Sequence, residues 1–406
     1  MRTSPEPKPH SVEPPRILHV IRSADPQTGG TIEVAKRFSE GLSGVAVSEL
    51  VTLDPPDAAF IRQARLKIHA LGRPGNAWRG DSLLARFGYS AQLAPWLRRR
   101  AGTYDFIIVH GIWDYVAVAA ARTLPSGQAP YFVFPHGMLD AWFRRNNPLK
   151  HLRMQLFWLL FQGPLLSSAR RVFFTTEQER VRAASQFIGY NNYESEIAYS
   201  GTGDVAGDGA AQVAGFRAHV PGLGDRPFLL FLGRIHPKKG CDLLIRAFGA
   251  IAARHPELAL VMAGPDQVGW AAKLAEIATD AGVADRTFWP GMLVGDLKWG
   301  ALRGAEAFVL PSHHENFGMA AAEALAAGTP VLLTHRVDLW RDVEASQSGF
   351  VADDTAPAIR ELLERFLRLD PSMRAQMRSS ARRCFEDKFD AAKCASVFLE
   401  KIRSAY

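Results

Sequence analysis

The chain has 406 residues, 47% of them apolar and 22% charged, with a formal net charge of +7 at pH 7. That composition excludes a disordered or fibrous chain, and at about 100–200 residues per domain the length calls for two or three domains, of which we take two. Three cysteines, Cys241, Cys384 and Cys394, form no CxxC pair, which excludes a disulfide framework and reads as free buried thiols in a reducing cytoplasm.

The first residues, "MRTSPEPKPHSVEPPR", are Pro-rich and polar and lack the apolar centre of a signal peptide, so they read as a loose tail. The nearest approach to a membrane-spanning run, Leu156 to Leu166, is interrupted by Gln162, Gly163 and Pro164, and falls short of the roughly 18 apolar residues a span requires. Charge divides unevenly along the chain. Residues 1–200 hold 24 Lys and Arg against 16 Asp and Glu, a balance of +8, while 201–406 hold 24 against 25, a balance of −1. An anionic partner surface would therefore meet the N-terminal half.

Taken in chain order, "RILHVI" (Arg16 to Ile21) is a buried strand, followed by a loop ending in Gly29-Gly30 and a helix from Thr31 whose apolar positions are Ile32, Ala35, Phe38 and Leu42. Further strands are expected at "SELVTL", "DFIIVH" and "YFVFPH". Seven glycines among residues 201–224 mark an interdomain linker. The pattern then restarts with the strand "FLLFLGR", the helix "GCDLLIRAFGAIAARHP", the strand "LALVMAG", the helix "GWAAKLAEIATDAG" and the strands "TFWPG", "AEAFVLPS" and "TPVLLTH". From Ala356 onward the chain is helical in pattern and rich in Arg. Strands alternating with helices give an α/β fold with mainly parallel sheets covered on both faces.

Three constellations carry chemistry. In "FLGRIHPKKG" (Phe231 to Gly240) a strand ends in Gly-Arg and a helix begins near Gly240. Ligands of open α/β sheets bind at the carboxyl ends of the strands, which places Arg234 and Lys239 where a phosphate would sit, the one as a planar fork and the other as a point charge. Their alternative is a pair of exposed surface cations. In "HHENFGMAAAEALAAGTPVLLT" (His313 to Thr334), Glu315 and Glu323 lie eight residues apart, about 80° from each other if both are helical. With Glu315 in the loop and Glu323 inside a helix starting between Asn316 and Gly318, the carboxylates flank a helix N-terminus, itself an anion site. Gly318 and Ala320 to Ala322 keep side chains away from a bulky ligand. Carboxylates accept from paired sugar hydroxyls, so the ligand is anionic in the middle and hydroxylated at both ends, as a nucleotide diphosphate sugar is. The plain alternative makes Glu323 a buried paired carboxylate and Glu315 a cap. His313-His314-Glu315 has no third ligand at helical spacing, so no metal is assigned. The third set is Gly29-Gly30, His110-Gly111 and His136-Gly137-Met138, three strand-end turns on one sheet edge.

"LGRIHPKKG", followed about 75 residues later by "ENFGMAAAE" and preceded by "PHGM", resembles the retaining family-4 glycosyltransferases of the GT-B fold, including bacterial enzymes of polysaccharide biosynthesis. The resemblance covers nearly all of the chain after the tail. It implies two Rossmann-like domains facing a central cleft: a tail over 1–15, an acceptor-side domain over 16–198, a linker over 199–226, a nucleotide-sugar-binding domain over 227–385 and a last helix, 386–406, crossing back. By motif position, Arg234 and Lys239 would bind the donor diphosphate. Glu315 would hold sugar hydroxyls with backbone amides around Asn316, Phe317, Gly318 and Met319, and Glu323 the ribose. His136 would sit by the transferred sugar, making His136, Glu315, Arg234 and Lys239 the catalytic set, and Gly29 and Gly30 would approach the diphosphate or acceptor. No cofactor or metal is implied, since Arg, Lys and a helix dipole neutralise the leaving group. One departure is "YSGTGDV" (Tyr199 to Val205), where relatives commonly carry a Pro-Asn-Gly-Val-Asp-like turn.

The function expected is metal-independent, retaining transfer of a hexose from a nucleotide diphosphate sugar to a saccharide acceptor, polyprenyl-diphosphate-linked in one reading, in exopolysaccharide, capsule or lipopolysaccharide synthesis. Arg144 to Arg171, with cations at both ends and apolar residues between, is either a helix buried in its own domain or an interfacial segment on an anionic membrane. The second option places a cytoplasmic protein at the inner face of the cytoplasmic membrane. The rival functions are a nucleotide-sugar epimerase of similar fold and a non-catalytic nucleotide-sugar-binding subunit. Moderate charge and the lack of a recognition module argue against nucleic acid.

Overall fold

The computed structural model describes residues 13–26, 30–73, 87–127, 129–139, 148–184 and 186–405. They form two units, one comprising 1–175, 180–198 and 395–406 and the other 176–179 and 199–394.

The first unit is built on β1 (Arg16–Val20), β2 (Val47–Thr52), β3 (Lys67–Ala70), β4 (Phe106–His110), β5 (Tyr131–Phe134), β6 (Arg171–Phe174) and β7 (Ser195–Ile197). They pair in parallel in the order β3-β2-β1-β4-β5-β6-β7. Chain order reverses between β1 and β4, the switch point at which such sheets open a crevice for ligands. Alternation along each strand sends Ile17, Ile108, Phe132, Phe134 and Phe173 to one face, where they pack with Phe38 of helix Gly30–Gly41 and with Ala395, Phe398, Leu399 and Ile402. Phe398 stacks on Phe38 with ring centroids 4.4 Å apart. Leu18, Val20, Ile107, Val109, Val133 and Val172 turn to the other face, against helix Tyr115–Thr123 and the buried Trp158, Leu165 and Leu166. The last helix, Ala391–Ser404, thus completes the core of the first unit from Ala395 onward.

Glu49 in β2 is an electrostatic centre near the sheet edge. Its carboxylate, 6% exposed, accepts hydrogen bonds from Tyr104 (2.8 Å), Arg16 (3.0 Å) and Lys67 (3.2 Å) and pairs with His69 at 2.8 Å. Burial pushes its pKa up, but the bonds to His69, Tyr104, Arg16 and Lys67 outweigh burial and hold it at about 2, against 4.5 unperturbed. A depressed carboxyl stabilises the fold above its unfolded pKa and loses that contribution as pH falls through the folded one. Urea unfolding of Glu49→Gln is therefore expected to show a deficit of about 2 kcal/mol at pH 7, after allowance for the exposed partners. Relative to wild type, the deficit should shrink between pH 4.5 and about 2; a constant deficit would refute the linkage.

The second unit holds β8 (Phe228–Leu232), β9 (Ala259–Ala263), β10 (Thr287–Gly291), β11 (Ala307–Leu310), β12 (Val331–Thr334) and β13 (Gly349–Ala352), all parallel, in the order β10-β9-β8-β11-β12-β13. Its switch point lies between β8 and β11. The glycine-rich stretch 199–226, expected as a linker, belongs to this unit and contains the helix Gly209–His219. Asp208 caps that helix by accepting from Ala210 and Ala211. The helix approaches Gly300 so closely that a Cβ there would lie 2.0 Å from the carbonyl of Gln212; small residues here serve helix packing. The departing segment Tyr199–Val205 is also tied down: Tyr199 donates to Asp342 at 3.0 Å, Lys388 pairs with Asp342 at 2.6 Å, and Arg382 grips Asp204 through two nitrogens at 2.5 and 2.8 Å.

Candidate active site

Arg234 and Lys239 leave the carboxyl end of β8, and Glu315 leaves that of β11, so the residues singled out from sequence stand on both sides of the switch point in the second unit. The loop between β8 and its following helix is bound to its neighbours by backbone: Ile235 N–H donates to Pro265 at 2.9 Å and His313 N–H to the carbonyl of Lys238 at 2.9 Å. Gly240, at φ +64°, begins helix Cys241–Ala252, and any Cβ there would meet the Pro311 carbonyl at 2.1 Å. Glycine is required because the β8 and β11 loops touch at this point.

Lys239 forms an ion pair with Glu315, the two side chains being 16% and 22% exposed. Glu315 is fixed through its main chain, which donates to Arg336 at 2.9 Å and accepts from Asp338 at 3.1 Å. The next turn runs through Asn316 and the buried Phe317 to Gly318 at φ +79°, which opens helix Met319–Ala326. Glu315 is thus in the loop and Glu323 within the helix, the second of the two arrangements that the spacing allowed. Glu323 is held by Lys298 at 2.9 Å, whose ammonium also lies 4.6 Å from the centre of the Trp299 ring. Lys298 was missed from sequence, since its partner is 25 residues away. Among the described residues the exposed Arg234 reaches only Gln267, at 3.5 Å, which leaves a guanidinium fork to meet an anion, while the two carboxylates each face a lysine ammonium, Glu315 that of Lys239 and Glu323 that of Lys298. His313 pairs with Asp354 at 2.9 Å, away from Glu315's partner. Among the described residues no group of three or more His, Cys, Asp or Glu is placed to hold a metal ion.

In the first unit, Gly30 opens its helix after β1, His110 ends β4 and His136 follows β5; Gly29 lies outside the described residues. Pro135–Met138 is a tight turn with φ of +53° at His136 and +74° at Gly137 and a 3.2 Å bond from Met138 N–H to Pro135, the pattern of a type I′ turn. His136 Nε2 lies 2.9 Å from His110 Nδ1, and His110 Nε2 lies 2.9 Å from His19 Nδ1. Burial pushes His19 and His136 down to about 3, and His110 well below the ordinary histidine value. All three rings are therefore neutral. His19 escaped the sequence reading, although a polar side chain within a doubly covered strand was a signal.

Residues 29–194 match the model described as Glycosyl transferase 4-like domain, and residues 217–384 match Glycosyl transferases group 1. A D-inositol 3-phosphate glycosyltransferase of Salinispora arenicola is 35% identical over 188 residues, 44% of this chain and 42% of the relative. That of Thermomonospora curvata is 34% identical over 164 residues, 39% of this chain and 38% of the relative. The chain thus spans about two fifths of the length of these curated relatives. Among solved structures, sucrose-phosphate synthase of Thermosynechococcus elongatus superposes with a TM-score of 0.73 at 18% identity, over 96% of this chain and 98% of that one. HepE of Anabaena, solved with UDP and glucose, gives 0.71 at 16% identity over 96% and 100%. On a GT-B fold of two Rossmann-like domains, the chain carries a glycosyltransferase 4-like domain followed by a group 1 glycosyltransferase domain.

Proposed function

We propose that the protein is a retaining hexosyltransferase that takes its sugar from a nucleoside diphosphate donor. The observation that carries this reading is the placement of Arg234, Lys239 and Glu315 across the β8–β11 switch point. Arg234 and Lys239 bind the diphosphate, the amides from Asn316 to Met319 and the Glu315 carboxylate hold the hexose, Glu323 holds the ribose, and His136 contacts the transferred sugar. The sugar C1–phosphate oxygen bond breaks, the acceptor oxygen bonds to C1 on the same face, and the acceptor proton passes to the departing phosphate. Cationic side chains and the helix N-terminus neutralise that leaving group without a bound metal or cofactor.

The acceptor we propose is a saccharide carried on a lipid diphosphate, in cell-surface polysaccharide synthesis at the inner face of the cytoplasmic membrane. Helix Pro148–Phe157 and the turn after it leave Leu149 76%, Leu152 67%, Leu156 57% and Leu160 57% exposed, with Ile188 beside them at 79%. Positions spaced by three and four share one helical face. Residues 141–176 include six Lys and Arg and no Asp or Glu. A leucine stripe in an acid-free basic segment matches an anionic bilayer surface, while Trp158, Leu165 and Leu166 farther along are buried in the unit's core. No helix of the described residues is long and apolar enough to cross a membrane. In flotation with phosphatidylglycerol-rich vesicles at low salt, wild type is expected to rise with the lipid and Leu152→Asp/Leu156→Asp to remain at the bottom; equal behaviour would refute the surface.

The reaction is tested by incubating the protein and bacterial membrane lipids with radiolabelled UDP- and GDP-hexoses. Label entering the lipid fraction with wild type but not with Glu315→Ala supports the assignment and names the base. Isomerised sugar with no acceptor requirement would replace it with epimerisation, and donor binding without turnover with a binding subunit.

A further inference from the structure

The chain of three imidazoles in the first unit has a polarity that its hydrogen bonds determine. His19, His110 and His136 lie at the carboxyl end of neighbouring strands β1, β4 and β5, with ring centroids 5.1 and 5.2 Å apart along the row. His110 and His136 each stack on Phe134 as well, at 5.6 and 5.5 Å. The nitrogens face one another in pairs and do not converge on a common point, so the cluster is a hydrogen-bonded row and not a ligand set for a metal.

A neutral imidazole carries one N–H and one lone pair. Three neutral rings joined by two N–H···N bonds have one N–H left over, and it must sit at one end of the row. If it sat at the inner end it would be on His19 Nε2, which is fully buried with no hydrogen-bond partner. If it sat at the outer end it would be on His136 Nδ1, on a ring that is partly exposed and has no bond to that nitrogen among the described residues. An orphaned buried N–H is rarer in proteins than an acceptor left unsatisfied. The row therefore runs from His19 Nδ1–H to His110 Nε2, and from His110 Nδ1–H to His136 Nε2.

We propose that His19 and His110 are positioning residues that fix His136 in the Nδ1–H tautomer, so that it presents to the bound hexose a hydrogen-bond donor and never an acceptor. The proposal rests on the reading above for the placement of His136 beside the sugar. A histidine whose far nitrogen is held by a buried partner has its tautomer set by that partner, as in hydrolase triads and metal sites. Here the partner is a second histidine, itself oriented by a third. Such a site favours a sugar oxygen that accepts, and penalises a donor sugar whose hydroxyl there is replaced by hydrogen.

The test is nitrogen-15 NMR of the full chain labelled at histidine, read at neutral pH with His136→Asn to assign the resonance. Wild type is expected to show His136 with a protonated Nδ1 and an unprotonated Nε2; the opposite tautomer overturns the proposal without recourse to any assay. His110→Phe or, should that fail to fold, His19→Leu is expected to release His136 to the Nε2–H form. In kinetics, His110→Phe should lower kcat roughly tenfold, the worth of one substrate hydrogen bond, with KM for the donor within about twofold. Asparagine presents an amide donor with no tautomer to set, so in the His136→Asn background His110→Phe should cost less than about twofold. Additive losses would mean that His110 merely supports the fold and would overturn the proposal. If His136→Asn and His136→Ala leave transfer unchanged while the wild-type spectrum shows Nδ1–H, the placement of His136 beside the sugar fails and the tautomer assignment stands.

Discussion

Arg234→Ala is expected to lower sugar transfer about 100-fold or more while leaving the unfolding midpoint of the second unit nearly unchanged. The guanidinium is exposed and, among the described residues, reaches only Gln267, at 3.5 Å, so little stability depends on it. Its position, by contrast, is dictated by the β8 loop, which Ile235 ties to Pro265. A fork of N–H donors held at the place where a diphosphate accumulates negative charge stabilises the departing group more than the bound donor, and such groups contribute about 3 kcal/mol when removed singly. Arg234→Lys should recover part of the rate, since a point charge replaces a bidentate fork. The measurement is kcat/KM with donor and acceptor both varied, together with thermal unfolding; transfer within a few fold of wild type in Arg234→Ala would remove Arg234 from the site.

Glu315→Ala is expected to separate sugar from nucleotide. A carboxylate that accepts from hexose hydroxyls contributes nothing to a free nucleoside diphosphate, so binding of the nucleoside diphosphate should remain within about threefold of wild type. Transfer should fall about 100-fold, because a polar site that loses its substrate hydrogen bonds discriminates strongly. The ion pair with Lys239 adds a second consequence. In wild type the ammonium is shared with Glu315; without the carboxylate it is free for phosphate, which works against any loss of nucleotide affinity. Both side chains are only partly buried, so the stability cost is about 1 kcal/mol and the variant folds. Calorimetric titration with nucleoside diphosphate and with the intact donor reads both quantities, and equal losses for the two ligands would place Glu315 on the phosphates or the base.

Strands that are sandwiched on both sides were legible because each needs an uninterrupted apolar run: "FIIVH", "YFVF", "FLLFL" and "ALVMA" announce β4, β5, β8 and β9. Strands β3, β6, β7 and β13 went unread: β3, β7 and β13 are edge strands three or four residues long and only partly buried, while the interior β6 offers only the four residues "RVFF", the first of them charged. An edge strand pairs on one side and needs no such run. The helix Gly209–His219 was hidden by its glycines, although Asp208 supplied a cap signal that a count of glycines overlooks. For the candidate site, the strand-end placement of Arg234, Lys239 and Glu315 was legible because a loop residue that follows a strand leaves its carboxyl end, and Glu323 was legible as a position inside the helix that follows. The pairings were not, since Lys239 meets Glu315 across 76 residues and Lys298 meets Glu323 across 25. The histidine row was half legible: His110 and His136 stood at strand ends, while His19 was absorbed into an apolar strand, and only the parallel register of β1 with β4 brings the two together.

The central claim, that the β8–β11 switch point of this chain holds a nucleoside diphosphate hexose, is tested most directly by titrating the full-length protein with UDP- and GDP-hexoses in the presence of a chelator. The account predicts saturable binding of one of them at one site per chain without divalent metal, weakened at least tenfold in Arg234→Ala. Tenfold is the loss of one charge-assisted contact. Binding that needs a divalent ion, or that is indifferent to Arg234, would contradict it.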